Sequence, residues 1–386
     1  MAYLDASVDS TRYRDGSDAV SSEDRDAGRF NGESRQPFRP EWVRIIDPLS
    51  DPDWDRLAAS HPNFNFFHRA AWARVLSKTY GHKPVYLYFA QGPEPLALVP
   101  IMEVTSSFSG RRGVSMPFSD FCQPLLFGKW TQEKALFETL IDVGRQRKWR
   151  YFELRGAKES LPASACPAEK YYGHSLDLSS GVEGLFTRLP SPVRRAIHKA
   201  EKSGLTVDAS NSREAMLQFY RLHVWTRRRH GLPPQPLSFF LNIYEEIIKA
   251  DLGLVLVVKS GTAPVAAAVF FHSGPVALYK FGASDERKQE LRGNNLAMWE
   301  GIKRLIGRNA QTLHFGRTAI DNEGLRRFKL SWGAQEKLIE YFKLDLNDKK
   351  WLNFSRRTSE IHNHLFRRLP LAANRIAGAL IYPHLD

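Results

Sequence analysis

Read along its hydrophobic periodicity, the chain presents one order of elements twice, and that constrains its fold more than any single motif. In the first half, 42–46 alternates as a short strand. Residues 66–80 place Phe67, Ala71, Val75 and Tyr80, with Trp72 and Leu76, at helical spacing. Two strands, 85–90 and 96–104, form a hairpin around Gly92, followed by a helix over 131–148 and a strand over 151–154. The second half repeats the plan. Helices over 193–202, 213–229 and 237–250 surround a strand at 205–207, and a hairpin of 254–259 and 265–272 turns at Gly261. Strand 276–281, helix 294–306, strand 312–315, helix 322–331 and strand 338–344 complete it. The common order reads as duplication of one α/β fold, with negligible residue identity between the halves.

A chain of 386 residues is long for one core. The expected organisation is a disordered tail at 1–38, a domain at 39–180, a second at 181–348 and a helical tail at 349–386. Residues 1–38 are rich in Ser, Asp, Arg and Gly and carry a net charge of −3, which leaves +16 for the rest of a chain whose total is +13. A basic body suits phosphorylated ligands, nucleic acid or an anionic membrane surface. The tail carries seven Lys/Arg against two acidic residues, and Pro370 breaks two apolar helical faces. Those faces are expected to pack back on the domain, with a membrane-surface helix as the alternative. No apolar run approaches the ~20 residues that span a bilayer, and no secretory h-region is expected. Cys122 and Cys166 alone make neither a disulfide framework nor a zinc site and fit a reducing cytoplasm.

Residues 278–335 carry charge where a plain core would not. The helix there places Leu325, Phe328, Lys329 and Trp332 at i, i+3, i+4 and i+7, one buried face. A lysine on that stripe either snorkels out or meets an anion or carboxylate. Asp120 sits in an apolar and aromatic loop, where desolvation is expected to raise its pKa and poise it as a base; a turn aspartate bonding its own backbone is the alternative. Cys122 nearby reads as a packed thiol. On the helix 193–202, Arg194, His198 and Lys202 align with Arg195 and Lys199 alongside, opposite Val193, Ile197 and Ala200. That face is either solvated or binds phosphate. Arg292, Gly293, Asn294 and Asn295 at a helix start suit phosphate or an ordinary cap. His314 and Arg317 flank Gly316 at a strand end, beside Tyr279 and Lys280 on the neighbouring strand, where tyrosine could protonate a leaving group and arginine hold phosphate. Metal-ligand spacing, a P-loop, a nucleophile elbow and the dinucleotide fingerprint are not found in the sequence.

Taken in order, Pro117-Phe118-Ser119-Asp120, Arg195 with Lys199-Ala200-Glu201-Lys202-Ser203-Gly204, Tyr279 with Gly282-Ala283-Ser284, Gly293-Asn294-Asn295 with Trp299, Phe315-Gly316-Arg317, and Phe328-Lys329 with Trp332-Gly333-Ala334 resemble the FemAB-like branch of the acetyltransferase superfamily, over about residues 40–345. The resemblance implies two tandem GNAT-like domains, each a mixed, mostly antiparallel sheet flanked by helices, with acyl transfer mainly in the second. It further implies an N-acyltransferase acting on a cell-envelope or exopolysaccharide precursor, similar to bacterial members associated with exopolysaccharide export and protein sorting and related to cellulose-biosynthesis acetyltransferases. The donor it implies is acyl-CoA or aminoacyl-tRNA, without metal. Lys329 is carried over as a donor contact, Asp120 as an acceptor-side residue and Arg317 as a site residue. Asp120, Lys329 and Tyr279 are the catalytic candidates. Arg195, Lys199, Lys202, Arg292, Asn294, Asn295, His314, Arg317 and Trp332 are the binding candidates. Residues 290–295 depart from the R/Q-x-x-G-x-G/A pattern of CoA sites at their first and last positions, and no long charged heptad arm interrupts the second half. A tRNA-dependent peptidoglycan peptidyltransferase of FemABX type and a non-catalytic RNA- or envelope-binding module are the alternative readings. The expected location is cytoplasmic or peripheral at the inner membrane face.

Overall fold

The computed structural model describes residues 42–128, 133–353 and 360–386; the reading of 1–38 as disordered lies outside them. The first half runs β1 (Val43–Ile46), α1 (Trp54–Ala59), α2 (Ala70–Tyr80), β2 (Lys83–Pro84), β3 (Tyr86–Gln91), β4 (Glu94–Val99), β5 (Met102–Ser106), β6 (Gly110–Val114), β7 (Leu125–Leu126), α3 (Glu133–Gln146), β8 (Tyr151–Arg155) and β9 (Glu169–Asp177). The second runs α4 (Gly181–Arg188), α5 (Ser191–Lys202), β10 (Leu205–Asp208), α6 (Arg213–Arg229), α7 (Leu237–Ile243), β11 (Gly253–Ser260), β12 (Ala263–Ser273), β13 (Val276–Ser284), α8 (Gly293–Ile306), β14 (Thr312–Ala319), α9 (Glu323–Leu330), β15 (Gln335–Asp345) and β16 (Lys350–Trp351). Helices α10 (Glu360–Arg368) and α11 (Leu371–Ile381) follow.

Both halves share one long sheet, ordered β10-β11-β12-β13-β14-β9-β15-β8-β6-β5-β2, while β1, β3, β4 and β7 form a small second sheet. Strand β9, which precedes residue 180, lies between β14 and β15 of the second half, and β15 runs on to pair with β8 of the first. The expected strand 96–104 is two strands in different sheets, because Pro100 lacks the N–H that would continue either ladder. The expected elements are otherwise observed in order, with α1, β2, β6, β7, β9, α4 and β16 added to them.

Strands β11 and β12 read as continuous apolar runs because both of their faces are covered. Leu254, Leu256, Val258, Ala266, Ala268 and Phe270 enter the core beneath α4, α5 and α8. Their alternates Val255, Val257, Ala267, Val269 and Phe271 enter the core shared with α6, α7 and α2. A third core joins α3 to β3, β4, β8 and the end of β15. Helix α8 approaches β12 through Gly301, where a Cβ would stand 2.4 Å from the Phe270 ring.

Gly301→Ala therefore sets two effects against each other. The alanine gains up to about 1 kcal/mol in helix propensity, but overpacking costs about 1–3 kcal/mol. Net destabilisation is expected, read as a lower urea midpoint with unchanged slope.

Candidate functional site

The parallel pairing of β13 with β14 covers only Val276–Leu278 against Thr312–His314. Beyond it β13 pairs with β12 alone and β14 with β9. Both strands are irregular at this point. Lys280 is the extra residue of a bulge, since Val269 pairs with Phe281 and Phe270 with Tyr279. On β14 the register shifts between His314 and Arg317, with Gly316 at φ +70°. Asp120, from a loop of the first half, bridges the two strands where they part. Its Oδ2 lies 3.0 Å from Lys280 Nζ and its Oδ1 accepts from the Arg317 backbone N–H at 3.0 Å. A Cβ on Gly316 would stand 3.0 Å from that Oδ1, so glycine serves here for both conformation and clearance.

The expected rise in the Asp120 pKa is corrected by this geometry. Burial does push the carboxyl up, but Lys280 and the Arg317 N–H outweigh it and hold Asp120 well below the usual carboxylate range. Asp120 is an ionised strut with a partner on each oxygen, and its lowered pKa makes it a weak base. Burial presses the Lys280 ammonium down from its ordinary value and Asp120 opposes that shift. We read the pair as ionised, because Lys280 also donates to the Phe118 carbonyl at 2.7 Å and lies over the Phe67 ring at 4.9 Å.

Lys329 does not snorkel. It is the one residue of α9 that is buried, and its Nζ donates to the carbonyls of Gly316 and Arg317 at 2.9 and 3.0 Å. Those acceptors are backbone dipoles rather than the anion or carboxylate expected. An ammonium has three donors, so one remains after these two bonds. Burial pushes its pKa down to about 8. Leu325, expected on the same buried stripe, is 37% exposed. The helix turns its lysine inward and leaves apolar surface at its mouth.

The other candidates separate into groups. Tyr279 packs its ring against Phe270 and Phe315, and burial raises its hydroxyl to about 12, so it stays protonated. The Nδ1 of His314 accepts from the Gly316 N–H at 2.9 Å, which leaves the ring proton on Nε2. Burial lowers its pKa to about 4, so the ring is neutral near pH 7. The side chain of Arg317 is held by two tyrosines. Its guanidinium donates to the Tyr341 hydroxyl at 2.7 Å and lies over the Tyr171 and Tyr341 rings at 4.6 and 5.1 Å. Trp332 is a core residue, with its indole nitrogen buried and unpaired. Arg292 adopts a left-handed conformation before α8, no side chain caps that helix, and Asn294 reaches back to Ser284 Oγ at 3.1 Å while Asn295 is half-buried. Arg195, Lys199 and Lys202 are exposed on α5, which packs on α8 through Val193, Ile197 and Ala200. They are not brought to the Asp120–Lys329 cluster. Cys122 is buried, as expected of a packed thiol, and burial raises its pKa.

Two supports were not foreseen. Arg155, fully buried, bonds Glu153 at 2.8 Å and the carbonyls of Met116 and Ser119 at 3.2 Å. It thereby holds a turn in which Met116 and Phe118 take φ of 55° and 59°. The Tyr341 hydroxyl donates to the Asp120 carbonyl at 2.7 Å. The available signal was the strand Tyr-Phe-Glu-Leu-Arg, whose two charges share one face of a buried strand. Beside this cluster runs a groove of about 790 Å³, walled by His61, Phe121, Gly156, Gly173, His314 and Lys337 among others. No group of metal-ligating side chains is found among the described residues.

Residues 191–335 match the family model described as an acetyltransferase (GNAT) domain. The fold is similar to that of a crystal structure of FemX, with TM-score 0.61 and 15% identity over 79% of this chain and 98% of the other. It is also similar to a tandem GNAT protein from the clavulanic acid biosynthesis pathway (TM-score 0.52, 8% identity, 79% and 98% covered). A conserved protein of unknown function from Bacteroides thetaiotaomicron has TM-score 0.50 and 14% identity, with 78% and 98% covered. No curated protein matches the sequence.

Removing one member of the buried pair tests its role. Asp120→Asn leaves Lys280 without an anion, and a loss of about 3–5 kcal/mol in urea unfolding is expected, with the Asp120→Asn/Lys280→Met double variant losing less. Because the folded pKa of Asp120 lies below its unfolded value of about 3.9, its stabilisation is present above that pH and is lost as pH falls toward the folded value. Wild-type stability should therefore fall more steeply below about pH 4 than that of the double variant.

Proposed function

We propose that this chain, a FemAB-like member of the GNAT superfamily, transfers an acyl group from an activated, phosphate-bearing carrier to an amine on a cell-envelope or exopolysaccharide precursor. The observation that carries the reading is the Lys329 ammonium, buried where β13 and β14 part, bonded to two carbonyls and left with one donor. In a dry site such a group is worth most against charge that develops during reaction. The acceptor lies in the groove beside His314, and its amine attacks the donor carbonyl at the strand split. The carbonyl oxygen becomes an oxyanion facing the spare donor of Lys329. The amine proton leaves through water, since Lys280 and the Arg317 N–H keep Asp120 a weak base and His314 already holds its proton on Nε2. Tyr279, protonated near neutrality, supplies the proton to the departing thiolate or ribose oxygen. The uncapped start of α8, with Arg292, Asn294 and Asn295, is assigned to the carrier's phosphate.

Both donors implied by the family resemblance, an acyl-CoA thioester and an aminoacyl-tRNA ester, fit this scheme. The net +16 of residues 39–386 favours keeping the second in view. Thermal-shift titration with CoA thioesters and aminoacyl-tRNA mimics, followed by transfer to amine acceptors, distinguishes them. Failure of every acyl donor to shift Tm or to be consumed overturns the enzyme reading.

Lys329→Met should lower kcat/KM by about 100-fold or more while the protein stays folded. In the wild type, the ammonium is present below and lost above its pKa of about 8. A descending limb of kcat/KM near that pH is expected, and the variant's residual activity should lack it.

A further inference from the structure

We infer that the C-terminal pair α10 and α11 docks the protein on the surface of an anionic lipid bilayer. The inward face of α11 is occupied. Gly378 lies so close to Pro234 that a Cβ would stand 1.9 Å from its carbonyl oxygen, and Asn374 is fully buried. Past the helix end, Tyr382 accepts from Arg227 Nη2 at 2.8 Å and packs against Phe118. This is the packing-back expected of the tail, and it uses one side only.

The opposite side repeats Ala372, Ile376 and Leu380 at i, i+4 and i+8. Ile376 and Leu380 are 63% and 67% exposed. One turn beyond Leu380, the His384 ring meets Phe108 edge-on at 4.8 Å, and Phe108, between β5 and β6, is 85% exposed. Ile376 and Leu380 thus make an outward apolar ridge on α11, with Phe108 exposed beyond its end beside His384. A protein partner would have to bring a matching cleft, whereas a bilayer offers its acyl boundary to any convex ridge.

Charge selects the kind of bilayer. Arg367, Arg368 and Arg375 are exposed on the same two helices. Of the two carboxylate side chains between 360 and 386, Glu360 and Asp386, the second is held at 2.6 Å by the buried Arg112. Apolar insertion or a few cations alone bind weakly, so attachment should need both together.

Co-sedimentation of the full chain with vesicles tests this directly. Binding is expected to vesicles of phosphatidylcholine mixed with phosphatidylglycerol, to weaken at high salt, and to be near background on phosphatidylcholine alone. Ile376→Glu/Leu380→Glu should reduce binding by about tenfold or more with unchanged Tm, and Arg367→Gln/Arg368→Gln should abolish the preference for anionic lipid. No vesicle binding by the wild type, or binding that both variants retain, overturns the inference. So does a concentration-dependent dimer, seen by light scattering and abolished by the first variant, in the absence of vesicle binding.

Discussion

The Asp120 carboxylate holds open the point on which the site depends. Where β13 and β14 cease to pair, their inner edges would present unpaired backbone groups, which are costly when buried. Asp120 accepts one such N–H on β14 and binds the extra lysine on β13, so one side chain from the first half stabilises a divergence in the second. The carboxylate is itself held from behind. Tyr341 donates to its backbone carbonyl, Arg155 fastens its turn, and Glu153 neutralises both Arg155 and Lys343 at 2.8 and 2.9 Å. A buried ion rarely stands unless each neighbour is also satisfied, and here the chain of partners extends across several strands.

Around that strut, the second half arranges polar groups whose protonation states are set by burial rather than by mutual titration. Lys329 is a cation within reach of deprotonation, Tyr279 a held acid and His314 a neutral donor with one tautomer. Helix α9 is unusual because Leu325 and Leu330 are each 37% exposed while its lysine is buried. A core helix would do the reverse. Phe328, partly buried, packs against the core and meets Trp332 edge-on.

Much of the fold was legible because β11 and β12 are continuous apolar runs bounded by turn residues, while a 3.6-residue period survives in α6 and α8. Strand β9 was not, since Gly173 and the buried His174 interrupt an alternation that only its two neighbours explain. The split at Pro100 was readable from the missing N–H, yet the change of sheet it produces is a tertiary outcome. At the site, the inward lysine was visible as a charge on an apolar stripe. Asp120 was placed in the right neighbourhood with the wrong electrostatics, because its partner Lys280 stands 160 residues away and no local pattern brings them together. Arg317 looked like a phosphate ligand for the same reason; the two tyrosine rings that claim its guanidinium come from other strands.

The sheet that runs unbroken from β10 to β2 has a mechanical consequence. With β9 and β15 interlaced between the halves, no hinge separates them, and swinging one against the other would tear several ladders at once. The frame is then stiff, and any adjustment to a ligand would fall to the loops and helices outside the ladders. For the acyl transfer proposed above, such a frame would trade breadth of acceptance for a geometry already in place before the reactants arrive.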